Sequence, residues 1–256
     1  MTLAAVTRHI SPALANCELT HLDRVPIDVD AARRQHDAYQ RALADAGCRV
    51  EVLEATAEMP DSVFIEDTAI VFDELAVIAR PGAASRRVEV PAVVDALERY
   101  RTLRFIEPPA TLDGGDVLVV GRRVFVGVTT RTNRHGIGQL RTILQSYGYM
   151  VCDVEISNCL HLKSAATSLD DRHVIVNPDW IDRRVFQGFE TVEVDPTEPF
   201  AANTLRLADR IVVAAAFPNT AARIRALGYR VEAVDVSELA KAEGGVTCCS
   251  LIVKQA

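Results

Sequence analysis

The sequence predicts an α/β fold built from five strand–turn–strand–helix–strand units arranged radially, with the first and last strands sharing one unit. Three observations carry this. A short alternating strand ending near an acidic residue occurs five times, a helical pattern precedes four of those copies, and a second series of apolar hairpins interleaves with the first. The copies recur at intervals of 40 to 54 residues, a spacing typical of repeated supersecondary units. A radial array places the first strand of each unit around a common centre and leaves only short strand edges exposed. An ordinary open α/β sheet is the competing arrangement.

The elements follow in order. Residues 2–10, TLAAVTRHI, alternate as a strand does, and residues 31–47 carry Ala and Leu three and four apart up to a stopping Gly47. The first copy of the repeated strand, GCRVEVLEA, spans 47–55. Residues 61–81 read as a hairpin turning at Asp73-Glu74, then come a helix over 90–100 and a strand over 100–108. The cycle repeats with a hairpin over 112–131 turning around Gly121-Arg122-Arg123, a helix over 135–148 and a strand over 148–156. The next unit has a hairpin over 161–178 turning at Asp170-Asp171, a weak helical stretch, PDWIDRRVFQG, and a strand over 188–196. The last full unit has a hairpin over 200–217 turning at Ala208-Asp209, a helix over 219–228 and a strand over 228–236. GVTCCSLIVK then supplies one strand only, and its partner is available at residues 2–10.

Composition limits the function classes. The 256 residues are 49% hydrophobic and 25% charged, with a formal charge of −7 and no basic block. A nucleic-acid partner is not expected, and a cationic small molecule is easier to accommodate. No secretory signal opens the sequence and no run of about 18 apolar residues occurs, so the expectation is a cytoplasmic protein without a membrane span. The six cysteines show neither a C-x-x-C pair nor Cys/His ligand spacing, so neither zinc nor a disulfide framework is expected. Cys48 and Cys152 read as small buried residues, and Cys17 and Cys159 stay unassigned. Residues 1–256 read as one catalytic domain.

Polar residues gather near the entry of each hairpin: Asp61, Glu66 and Asp67 in one unit, Asp113 and Asp116 in the next, then His161 with Lys163, then Asn203, then Cys248. Rotational symmetry would bring these groups to one face near the axis. A thiol, a histidine and several carboxylates together suit nucleophilic catalysis. A thiol of ordinary pKa, ~8.5, needs a nearby cation to ionise at neutral pH. Either His161 or a positively charged substrate supplies one. The histidine also serves as acid to a leaving amine and then as base to water, with Asp113 orienting the ring. The clustered carboxylates point to a cation such as a guanidinium. Alternation along a strand predicts that Cys248 and Cys249 face opposite ways, Cys248 with Ser250 and Cys249 with Thr247 and Leu251. One thiol attacks and the other packs.

The stretches DSVFIEDTAIV, IARPGAASRR, TLDGGDV, FVGVTTRTN, LHLKS and GVTCCSLIV, in this order, resemble the dimethylarginine dimethylaminohydrolase family of the guanidino-group-modifying superfamily. That resemblance implies the five-bladed α/β propeller (pentein) fold of pseudo-fivefold ββαβ repeats. It further implies Cys248 as nucleophile, His161 as proton donor and then base, and Asp113, where some bacterial relatives carry Glu, as its orienting acid. Asp67 with Glu66 would hold the guanidinium, and Asp61 with the backbone carbonyl of Leu19 the α-amino group. Arg86 and Arg131 would bind the α-carboxylate. The backbone carbonyl of Ala242, at a position often bulkier in the family, would contact the substituted nitrogen. The implied reaction converts an Nω-methylated L-arginine to L-citrulline and a methylamine through a covalent thiouronium on Cys248, with no metal or organic cofactor. The partner is a small guanidine amino acid, and an open propeller edge leaves room for a homodimer. Three other readings stay open: a deiminase acting on free arginine or agmatine, an amidino transferase, and a non-catalytic propeller serving as a binding or assembly factor.

Overall fold

The alternating run near the start forms β1 (Leu3–Arg8), followed by α1 (Val29–Asp45) and β2 (Cys48–Leu53). The structure, a computed structural model, describes residues 2–255. The next unit comprises β3 (Ala69–Val71), β4 (Leu75–Ile78), α2 (Val90–Leu97) and β5 (Thr102–Phe105). The third comprises β6 (Val117–Val120), β7 (Arg123–Val128), α3 (Arg134–Gln145) and β8 (Met150–Glu155). The fourth opens with a one-turn helix, α4 (Leu162–Ala165), before β9 (Ala166–Ser168), β10 (His173–Val176) and β11 (Glu190–Glu193). Its crossover is the weak helical stretch, here only a 3₁₀ turn at Arg183–Phe186. The fifth comprises β12 (Leu205–Leu207), β13 (Arg210–Ala214), α5 (Pro218–Ala226) and β14 (Arg230–Val234), followed by the short α6 (Ser237–Ala240) and β15 (Leu251–Lys254).

Local chemistry explains the helix limits. Asp28 and Asn133 cap α1 and α3 by accepting the N–H groups of Ala31 and Gly136 at 2.9 Å each. Pro residues open α2 and α5 where no helical N–H partner is needed. Gly47, Gly148 and Gly228, all with positive φ, end three helices as the sequence predicts.

These strands form five three-stranded sheets, and in each the first strand runs antiparallel to the second and the second parallel to the third. The ring closes as expected: β15 pairs with β1, Leu3 opposite Lys254 and Val6 opposite Leu251, and β1 pairs with β2. An axial channel of about 210 Å³ is lined by the first strand of every sheet, with Ile70, Leu118, Thr167, Leu205 and Ile252 contributed by β3, β6, β9, β12 and β15. The apolar core is correspondingly divided into five clusters between neighbouring sheets and helices, not gathered into one. An open sheet is excluded by this arrangement.

Candidate active site

Each unit reaches the axis through a tight turn. A 3₁₀ turn at Ile65–Thr68 precedes β3, another at Gly114–Asp116 precedes β6, and α4 precedes β9. A turn over 246–249 precedes β15. Bonds three residues apart close them: Asp67 N to Phe64 O at 3.3 Å, Asp116 N to Asp113 O at 3.1 Å, Ser164 N to His161 O at 3.0 Å and Cys248 N to Gly245 O at 3.3 Å. This corrects the sequence expectation that Glu66, Asp67, His161 and Cys248 sit within or open strands. The ladder begins only after each turn, so the functional residues belong to the turns and not to the pleat.

The correction changes the account of the cysteine pair. Cys248 lines a cavity with His161, Asp61, Asp67, Arg86 and Arg131. Cys249 is wholly buried in the apolar cluster that includes Tyr39 and Leu43. One thiol is presented and the other packed, but turn geometry achieves it. Thr247, expected on the opposite face, has its hydroxyl 3.9 Å from the Cys248 sulfur, and Ser250, expected beside that sulfur, bonds the Tyr39 hydroxyl at 2.7 Å.

His161 stands between acids. Its Nε2 is 3.2 Å from Asp113 Oδ2 and its Nδ1 is 3.8 Å from Asp67 Oδ1. Asp113 is held in turn by the N–H of Gly82 at 2.8 Å, and Asp67 accepts the N–H of Gly115 at 2.9 Å. A β-carbon at position 115 would meet Asp67 Oδ1 at 2.7 Å and His161 Nδ1 at 2.8 Å, so only glycine lets the imidazole and carboxylate come together here. Burial alone would lower the imidazole pKa, but Asp67, Asp116 and Asp113 outweigh it and raise it to about 10. The resting group is an imidazolium. Asp67 is drawn down to about 2: its burial is overcome by His161, Arg86 and the Gly115 N–H. Asp116, bonded by Leu162 N at 3.1 Å and Thr129 Oγ1 at 2.7 Å, is raised by burial to about 6.

Asp67, Asp113 and His161 place three potential ligand atoms within 4.8 Å of one another. The imidazolium already supplies the positive charge there, and a metal ion would have to displace its proton. The Cys248 thiol is pushed up to about 12 by burial and by the charges of Glu66 and Asp67, against weaker help from the Gly245 N–H at 3.3 Å. At neutral pH it therefore rests as a neutral thiol, and a cation entering the cavity would favour its ionisation.

The other candidates divide. Asp61, Asp67, Arg86, Arg131 and Ala242 line the cavity, while Asp113 sits behind the imidazole. Glu66 lines the axial channel instead, bound by Lys163 Nζ at 2.6 Å and Thr247 Oγ1 at 2.7 Å. Leu19 packs on an apolar cluster, and the preceding N–H, that of Glu18, donates to both oxygens of Asp61 at 3.1 and 3.2 Å. Burial raises Asp61 to about 6 despite Arg86 and that N–H. Arg86 is heavily committed: Nη1 to Asp67 Oδ2 at 2.6 Å, Nε and Nη2 to Glu89 at 3.1 and 2.9 Å, and Nη2 to Phe64 O at 2.9 Å. Behind it the buried Arg8 donates to Glu89 O at 3.0 Å. Glu89 and Arg8 were not singled out in the sequence; Glu89 lies just ahead of the helix predicted over 90–100.

This network sets an expected result. Asp67→Ala removes one of two buried counter-charges from Arg86, which keeps Glu89, and from the imidazolium, which keeps Asp113, and should cost ~1–3 kcal/mol of stability. Turnover should also fall roughly 10²–10³-fold through loss of an oriented polar contact in the cavity. Denaturant titration and steady-state rates on the same preparation check both numbers.

Comparison with known proteins supplies the context for this geometry. The family model described as N,N dimethylarginine dimethylhydrolase, eukaryotic, matches residues 23–253. The chain is 40% identical over 253 residues to the N(G),N(G)-dimethylarginine dimethylaminohydrolase of Streptomyces coelicolor, covering 98% of this chain and 97% of that one. It matches the Pseudomonas aeruginosa enzyme, solved as a cysteine-to-serine variant complexed with citrulline, with a TM-score of 0.94 at 32% identity over 98% of this chain and 100% of that one. A histidine-to-glycine variant of a dimethylarginine dimethylaminohydrolase, solved as an adduct with S-methyl-L-thiocitrulline, matches with a TM-score of 0.93 at 33% identity over 98% and 100% of the two chains. Likeness of this extent, with the same five-sheet ring, makes the chain a member of the dimethylarginine dimethylaminohydrolase family, pentein hydrolases acting on amidine C–N bonds.

Proposed function

We infer that the protein hydrolyses an Nω-methylated L-arginine to L-citrulline and a methylamine, with Cys248 as nucleophile. The observation that carries this reading is the cavity shared by Cys248, the imidazolium of His161, the acids Asp61 and Asp67, and two arginines, with Asp113 behind the imidazole. A guanidinium placed beside Asp67 brings a positive charge to the Cys248 thiol, which loses its proton to solvent. The thiolate attacks the guanidinium carbon. His161 donates its proton to the substituted nitrogen, the C–N bond breaks and the amine leaves, giving a thiouronium. The now neutral imidazole takes a proton from water, and the resulting hydroxide adds to the same carbon. As the C–S bond breaks the hydroxyl proton passes to the departing sulfur, which returns the Cys248 thiol and releases neutral citrulline. Side chains and water suffice for each step.

Asp61 and Arg131 support an amino-acid substrate over agmatine, because the cavity offers both an anion and a cation at its rim. The amine released distinguishes methylarginine from arginine: dimethylamine or methylamine should exceed ammonia when the enzyme is offered the substrates at equal concentration. Predominant ammonia would replace this reading with a deiminase, transfer to an acceptor amine with a transferase, and no turnover of any guanidine with a binding factor.

A pH effect follows from Asp61. Its carboxylate must be ionised to hold an α-ammonium and is protonated below about pH 6. Below that value kcat/KM should fall about tenfold per pH unit, by the ordinary titration of one group. The limb should be absent from kcat at saturating substrate. An equal limb in both parameters would assign it to Asp116, which faces the imidazole and titrates in the same range.

A further inference from the structure

Glu243 adopts a left-handed backbone, φ 59°, where glycine would be free of strain, and it is followed at once by Gly244-Gly245. Its place is fixed by the end of α6: its own N–H donates to Ala240 O at 3.1 Å and that of Gly244 to Leu239 O at 3.0 Å. A side chain is retained there because it is used. The carboxylate accepts N–H groups from three consecutive residues of a distant segment: Thr20 at 3.1 Å from both oxygens, His21, and Leu22 at 2.7 Å. These bonds tie residues 20–22, which follow the cavity-lining Glu18, to the loop that runs into Cys248. Glu18 and Glu243 both line that cavity.

The geometry has a consequence one atom away. In a trans peptide the C=O and N–H point in opposite directions. Fixing the Thr20 N–H on Glu243 therefore fixes the direction of the Leu19 carbonyl, while one residue earlier the segment is anchored by the Glu18 N–H on Asp61. We propose that Glu243 is a positioning residue whose carboxylate orients the Leu19 carbonyl so that it can act with the Asp61 carboxylate as acceptor for the substrate's α-ammonium. This rests on the methylarginine reading above. Arg131 Nη2, 3.4 Å from Thr20 Oγ1, and Ser85 Oγ, 2.8 Å from Glu18 Oε1, hold the same segment more weakly.

The test compares Glu243→Gly, Glu243→Ala and Glu243→Gln with the parent. The glycine variant removes the carboxylate while relieving the backbone, so it separates the two effects. KM for Nω-methyl-L-arginine should rise roughly 30-fold in the glycine and alanine variants, the scale expected when charge-assisted bonds are lost. kcat should change little, and glutamine, which keeps one acceptor oxygen, should recover part of the loss. Inactivation of Cys248 by 2-chloroacetamidine, which has neither α-amino nor carboxyl group, should proceed at the parent rate. Amide hydrogen exchange at residues 20–22 should accelerate at least tenfold while exchange in the sheets is unchanged. A KM within twofold of the parent, slowed chloroacetamidine reaction in step with KM, or unchanged exchange at 20–22 would each overturn the proposal. If the parent itself releases no amine from methylarginine, the substrate reading fails, and exchange alone still decides whether Glu243 holds the segment.

Discussion

Cys248→Ser should lose turnover by roughly 10⁴-fold or more, the scale seen when a covalent nucleophile is removed, whereas Cys249→Ser should stay within a few-fold of the parent. The two sulfurs are neighbours in sequence and differ in access to the cavity. Cys248 lines the cavity beside His161; Cys249 is 0% exposed, with its sulfur 3.6 Å from Gly245 O in an apolar cluster. Burial pushes both thiols above their ordinary value, but only Cys248 lines a cavity where an entering cation could favour the thiolate. Serine at 249 places a hydroxyl among apolar groups and should cost about 1–3 kcal/mol of stability, with little effect on rate. Intact-protein mass spectrometry during turnover, followed by peptide mapping, locates the adduct. A serine variant at 248 that retains activity, or an adduct on 249, overturns the assignment.

His161→Ala should lower kcat roughly 10²–10⁴-fold, the usual share of a general acid–base. The loss should depend on the leaving group. An amine must be protonated to depart, while a methylthiolate leaves unaided, so S-methyl-L-thiocitrulline should still acylate Cys248 in this variant and then stall, because no base remains for water. The relative solved as an adduct with that compound carries a histidine-to-glycine change. Acid–base function also fixes the alkaline limb. The imidazolium is the competent form for amine release, and its pKa is raised from 6.5 to about 10, so kcat/KM should fall as pH rises through about 10. The same shift bears on stability: a cation favoured in the fold contributes fully below pH 6.5, and the contribution disappears as pH climbs to about 10. The melting temperature of the parent should therefore drop over that interval more than that of His161→Ala. Parallel profiles would assign the raised pKa to another group.

Much of this was legible in the residues. The recurring strand, the interleaved hairpins and the glycine stops give the five-sheet ring and its closure by β1 and β15, since amphipathic period and turn chemistry are local properties. Convergence of Asp67, His161 and Cys248 follows from equivalence of position in rotationally related units. The turns that carry them were not legible. Ile65–Thr68 and the stretch ahead of Leu251 are apolar enough to read as strand, and only the crowding of five units at the axis decides that the ladder starts later. Long-range polar pairing was equally hidden. Glu89, one residue ahead of the predicted helix, carried no signal in the sequence, yet it is 1% exposed and pairs with Arg86. Glu66 was expected at the guanidinium, but Lys163 and Thr247 draw its carboxylate to the channel side. Glu243 belongs with these: its partners at 20–22 lie more than two hundred residues away, and no periodicity links them.

The strand that completes the ring begins at Leu251, three residues after Cys248, and it pairs with the strand at Leu3–Arg8. The thiol that shares a cavity with His161 therefore hangs from the seam where the two ends of the fold are joined. A substitution that loosens this seam should blunt the cavity before it disturbs the other four sheets.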